Sequence, residues 1–139
     1  MNIQDALLPE LERRFPNRGL RFGMAPDPVA IFPALHESVG DVEIWVDEVE
    51  ATIGIGKITH SHFNPYDNSL SKAELACRIT EDVVDFLTDL FSDQVQLWVA
   101  VNSSSGGWIR LFGDPPKIRE NAHNFLWSGP LPSHPRAAP

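Results

Sequence analysis

The chain has 139 residues, 42% of them hydrophobic and 22% charged, with a single cysteine and a formal net charge of −8. A length of this order suits one domain that buries its own core without disulfide staples, and the composition excludes a disordered or fibrous body. No window approaches the roughly 18 consecutive apolar residues of a membrane span, and an acidic chain without a basic stripe excludes nucleic-acid binding.

The opening residues place Ile3, Leu7, Leu8, Leu11 and Phe15 at helical spacing. Pro9 falls among them, so the helix is expected to begin near Leu8 or to kink there. Pro16-Asn17-Arg18-Gly19 ends it. Two short extended runs follow, Leu20 to Met24 and Val29 to Phe32, joined by a turn that Pro26 and Pro28 impose. Val42 to Val46 alternates as a half-buried strand, and a second run from Val49 through Ile55 continues toward Phe63 as its hairpin mate. Gly54 and Gly56 mark a bulge or a close backbone approach within that run.

Ser71 and Glu74 form a capping-box signature ahead of a long helix. Leu75, Ile79, Val83, Phe86, Leu87 and Leu90 repeat on its apolar face, while Lys72, Arg78, Glu81, Asp82, Asp85 and Asp89 take the wet one. Cys77 is expected to pack within this helix as a small buried hydrophobe. Gln94 to Val101 alternates as a strand, Ser103 to Gly107 turns the chain, and Trp108 to Phe112 returns as its antiparallel mate. Prolines crowd the chain from Pro115 onward, and a short segment over Asn124 to Ser128 is the last expected element.

This pattern predicts an α+β fold: a two-layer, mainly antiparallel sheet with one long amphipathic helix packed across it and a short N-terminal helix. One domain is expected over residues 1–128, followed by a disordered, proline-rich tail over residues 129–139. The N-terminal stretch lacks the basic lead and long apolar run of a secretory signal, so a soluble cytoplasmic protein is expected.

The charge is unevenly placed. Residues 41–93 hold twelve acids against Lys57, Lys72 and Arg78, a net charge of −9, whereas residues 94–139 balance at +2. An acidic middle of this kind favours a basic protein partner, with Glu81, Asp82, Asp85 and Asp89 as the groups that would meet it. Cross-strand parity assigns Trp45, Trp98 and Trp108 to the sheet face opposite the aliphatic core, together with Glu43, Gln96 and Arg110. Large aromatics on such a face are covered by the first helix, by the segment around Phe125 to Trp127, or by a partner.

His60 and His62 stand two apart in a strand and so leave the same face, a geometry that suits a divalent metal if a carboxylate supplies a third ligand. Asp67 is the nearest such carboxylate, and Asp41 and His36 are further choices. Asn64 to Ser69 otherwise reads as turn chemistry. Gly54-Ile55-Gly56-Lys57 is not a phosphate loop, because Ile58 continues a strand where that motif needs Ser or Thr and a helix. No nucleophile elbow is present.

Gly40-Asp41-Val42-Glu43-Ile44, taken with Ile58-Thr59-His60-Ser61-His62-Phe63 and the acidic helix that follows, resembles small uncharacterised bacterial α+β proteins, some similar in size and acidity to immunity proteins of toxin systems. The resemblance spans roughly residues 40–93 and transfers no functional residue. The acidic middle segment and the lack of a catalytic signature lead to the expectation of a non-enzymatic, cytoplasmic protein-binding module, immunity-like or regulatory, with no cofactor. Two other expectations stand beside it. One is a metal-dependent enzyme or metal-binding protein using His60, His62 and Asp67. The other is a small-ligand binder with a pocket lined by Trp45, Trp98 and Trp108.

Overall fold

The computed structural model describes residues 1–132. Helix α1 (Ile3–Arg14) starts earlier than Pro9 suggests, because Asn2 caps it: its side chain accepts the Asp5 amide at 2.8 Å, and the Asp5 carboxylate accepts the Asn2 amide in return. Pro9 sits exposed inside the helix and removes one backbone donor without ending it. Five strands follow: β1 (Arg21–Phe22), β2 (Ala30–Phe32), β3 (Val42–Val46), β4 (Ala51–Ile55) and β5 (Thr59–Phe63). They form one antiparallel sheet in chain order.

The expected continuous run from Val49 toward Phe63 is two strands. Gly56 breaks it at φ +50°, a conformation that glycine adopts without steric penalty. It also lies so close to Val39 that an added Cβ would sit 2.1 Å from the Val39 carbonyl oxygen.

Helix α2 (Lys72–Phe91) has the predicted start. Ser71 Oγ accepts the Glu74 amide at 3.1 Å and the Glu74 carboxylate accepts the Ser71 amide at 2.9 Å. These hydrogen bonds hold the Glu74 carboxyl below the usual glutamate range, the Ser71 amide contributing most. Beyond α2, strands β6 (Val95–Ala100), β7 (Gly106–Arg110), β8 (Ala122–Leu126) and β9 (Gly129–Pro130) make a second antiparallel sheet in the order β7-β6-β8-β9.

The fold is therefore α+β, with two sheets where a single one was expected. The crossover through α2 delivers the chain to a new sheet rather than to a free edge of the first. The edges still meet, since a Cβ on Gly106 of β7 would lie 2.0 Å from the carbonyl oxygen of Ile58, next to β5.

One core serves both sheets. Ile44, Ile53 and Ile55 of the first sheet, Val95 and Leu97 of the second, Leu7 and Leu11 of α1, and Ile79, Val83, Phe86, Leu87 and Leu90 of α2 are all fully buried or within a percent of it. Leu75 is half-buried against the same cluster. Each such side chain contributes about 1.5–3 kcal/mol over its exposed state. Phe15, Phe32 and Phe91 pack edge to face, with centroids 5.2–5.8 Å apart, where α1, β2 and α2 converge.

Order extends past residue 128. Gly129 and Pro130 pair with Leu126 and Phe125, and the Leu131 amide donates to the Asn124 carbonyl at 2.8 Å. The rest of the expected tail, residues 133–139, lies outside the described residues. No described helix is long and apolar enough to cross a membrane.

Candidate functional sites

The groups nominated from sequence fall on three separate surfaces. On the outer face of the first sheet, the β3-β4-β5 register sets Trp45, Thr52 and His62 in one row and Glu43, Gly54 and His60 in the next. The two histidine rings meet edge to face, centroids 5.3 Å apart, as their spacing predicts. His62 Nδ1 lies 2.6 Å from a Glu50 carboxylate oxygen and 3.0 Å from Thr52 Oγ1.

The other expected metal ligands are engaged elsewhere. Asp67 Oδ1 accepts from the Ser69 amide at 2.9 Å and the Ser69 hydroxyl at 2.6 Å. The hydroxyl contact is the larger reason that the Asp67 carboxyl titrates below the usual aspartate range. Asp41 accepts the Ala34 amide, and His36 Nδ1 contacts Ser38. Among the described residues no group of three or more His, Cys, Asp or Glu side chains is placed to hold a metal ion. Turn chemistry explains the Asn64–Ser69 loop: Asn64 accepts the Tyr66 amide at 2.7 Å while Tyr66 takes φ +54° and stands exposed.

The three tryptophans do not converge. Trp45 lies over Gly54, whose added Cβ would meet the ring at 3.2 Å. Trp98 is opposite Gly107 on the outer face of the second sheet, and the Arg119 guanidinium sits 4.1 Å above its ring. Trp108 pairs with Leu97 and packs against Phe86, so it faces the core. Arg110 pairs with Val95 and likewise faces α2. Parity cannot be carried across the 101–105 loop, and the hairpin register reversed the expected side for both residues.

Cover for the second sheet also comes from an unexpected segment. Gln96 is fully buried beneath the loop after Gly113, donating to the Lys117 carbonyl at 2.7 Å and to Asn124 Oδ1 at 2.9 Å, and accepting the Lys117 amide at 3.0 Å. Phe125 and Trp127 belong to the core side instead, Trp127 packing on Phe91 with centroids 5.2 Å apart.

The acids of α2 separate into paired and free groups. Asp82 lies 3.8 Å from Arg78. Asp89 lies 3.3 Å from Arg110 Nε, without the alignment of a hydrogen bond. Glu81 and Asp85 are exposed and have no ion-pair partner among the described residues.

Those two free acids stand on the rim of a groove of about 660 Å³ between α1 and α2. Its apolar lining comes from the buried Val84, the half-buried Ala6 and the exposed Pro9, and Asp5 and Glu10 add acid on the α1 side, with Arg14 the one basic side chain there among the described residues. Glu10 is paired with Arg13, which holds its carboxyl below the usual range. Thr80 also lines the groove; it is 8% exposed and its hydroxyl has no partner among the described residues. Cys77 opens onto the same groove and is exposed, contrary to its expected burial, because it shares the wet stripe of Ala73 and Glu81.

No spacing signal announces this groove, since it depends on how α1 docks beside α2. Comparison with known proteins returns no family model, curated protein or solved structure that matches the chain.

Proposed function

We propose that this protein binds another protein, of basic and amphipathic character, along the groove between α1 and α2, and that its role is of the immunity-like or regulatory kind. The observation behind this reading is the combination of an apolar lining from Ala6, Pro9 and Val84 with the carboxylates of Glu81 and Asp85, which have no ion-pair partner among the described residues. A helix with apolar residues at three- and four-residue spacing fits such a lining, and its lysines or arginines would meet the rim. Desolvated apolar contact supplies most of the affinity of such pairings, while the charges set on-rate and partner choice. Glu10 is matched by Arg13 and Arg14, so Asp5, Glu81 and Asp85 are the wall acids that favour a cationic occupant over an anionic one.

The remaining nominated groups take lesser parts in this reading. Asp82 is matched by Arg78 within α2 and Asp89 by Arg110 of β7, so both are less available to a partner. Trp98 and Trp108 are satisfied within the chain.

The test is a nuclear magnetic resonance titration of the ¹⁵N-labelled protein with a synthetic Leu/Lys amphipathic helix. Amide shifts are expected to centre on Ala6, Thr80 and Val84. Shifts centred on the opposite side of the molecule, or none, would remove the proposal.

A further inference from the structure

A second groove lies on the other side of the fold, where the turn between β4 and β5 meets the tip of the β6–β7 hairpin. It has a volume of about 690 Å³, and its walls include Trp45, Gly54, Lys57, His60 and Ser104. Its charge is the reverse of the molecule's. In a chain of net charge −8, the only ionisable groups on this groove among the described residues are Lys57 and His60. Neither makes an ion pair among the described residues, and His60 donates no side-chain hydrogen bond there. Glu43, cross-strand from Gly54, does not line it.

One wall offers an aromatic surface. Gly54 has no side chain, so the Trp45 ring packs down onto it, and an added Cβ there would meet the ring at 3.2 Å. Trp45 is half-buried, so part of its ring remains available from the groove.

From these features we infer that the groove is a binding site for a small planar aromatic anion, its ring lying along Trp45 and its carboxylate or phosphate held by Lys57 and His60. Aromatic stacking and a charge-assisted hydrogen bond are complementary terms: one fixes the plane of the ligand, the other its direction. At physiological ionic strength charges beyond about 8 Å are screened, which removes most of the effect of the acidic helix face and leaves Glu43, in the row of Gly54 and His60, as the acid that Lys57 must outweigh. This site is independent of the groove between α1 and α2, and either can fail without the other.

The experiment titrates the ¹⁵N-labelled protein with indole-3-acetate, with indole and with acetate, following the amides of Gly54, Gly56 and Gly106. Indole-3-acetate is expected to move all three, and each half-ligand to move them far less at equal concentration. Lys57→Met, an exposed substitution, should weaken indole-3-acetate about tenfold, in line with loss of one charged hydrogen bond, and leave indole unchanged. Trp45→Leu should weaken both. Static amides, an equal response to acetate alone, or an unchanged affinity in Lys57→Met would each overturn the inference.

Discussion

Phe86 of α2 packs against Trp108 of β7 with ring centroids 4.7 Å apart, and against Phe63 of β5 at 5.4 Å. One helical side chain thus joins the edge strands of both sheets, whose backbones meet at Ile58 and Gly106 without forming a continuous ladder. Phe86→Ala removes both contacts at a fully buried position and should destabilise the protein by about 3–5 kcal/mol in urea denaturation. A loss below about 1 kcal/mol would mean that the sheets are held together elsewhere.

Gly106 is predicted to be the least replaceable glycine of the second sheet. In Gly106→Ala the methyl would collide with backbone oxygens of Ile58 at 2.0 Å and Trp98 at 3.0 Å, neither of which can swing aside. Overpacking of this kind costs about 1–3 kcal/mol or more. Gly113→Ala is the control: its φ is +86° but nothing lies within 4 Å, so only the backbone term of about 1–2 kcal/mol applies. Melting temperatures of the pair should differ, with Gly106→Ala the lower.

Two buried polar groups should respond oppositely to removal. Thr80 has an unpartnered hydroxyl, so Thr80→Val should be neutral or stabilising by up to about 1 kcal/mol. Gln96 bonds Lys117 and Asn124, so Gln96→Leu should cost about 1–3 kcal/mol by leaving those groups unpaired. Equal effects from the two substitutions, measured by denaturation, would contradict this assignment.

The capping box of α2 gives a signed pH effect. Because the Glu74 carboxyl titrates lower in the folded state than in the unfolded chain, its contribution is full above the ordinary glutamate value and is lost as pH falls through the folded one. Glu74→Ala should therefore lower the melting temperature most near neutral pH, and the gap from the parent should narrow below about pH 4. A gap that stays constant down to pH 3 would show that the carboxylate contributes no charge-dependent stability.

Local signals survived folding where one element decides them. The α2 cap, its two faces and the turn at Asn64 to Ser69 depend on residues within one or two turns of each other, and they stand where the spacing of Ser71, Glu74 and the leucines puts them. The N-terminal helix is legible from its apolar spacing, whereas its start is left open by Pro9 and is decided by Asn2 and Asp5, a cap built without Ser or Thr at its head. Trp108 and Arg110 failed for a different reason: their side is set by hairpin register, which the five residues of the 101–105 tip do not announce. Of the candidate sites, the acids of α2 were legible as a wet stripe. Their division into the paired Asp82 and Asp89 and the free Glu81 and Asp85 required the positions of Arg78, Arg110 and α1. Lys57 and Gly54 offer in sequence only a spacing that does not fit a phosphate motif, and the groove they line forms only where the turn after β4 meets the β6–β7 hairpin.

The most direct measurement is a charge swap followed by isothermal titration calorimetry. Parent protein and the Glu81→Lys, Asp85→Lys double variant are each titrated with a Leu/Lys helix and with a Leu/Glu helix of the same length. The parent should prefer the lysine helix and the variant should prefer the glutamate helix, with both preferences fading at high salt. A preference that ignores the swap would show that the groove between α1 and α2 is not where a partner binds.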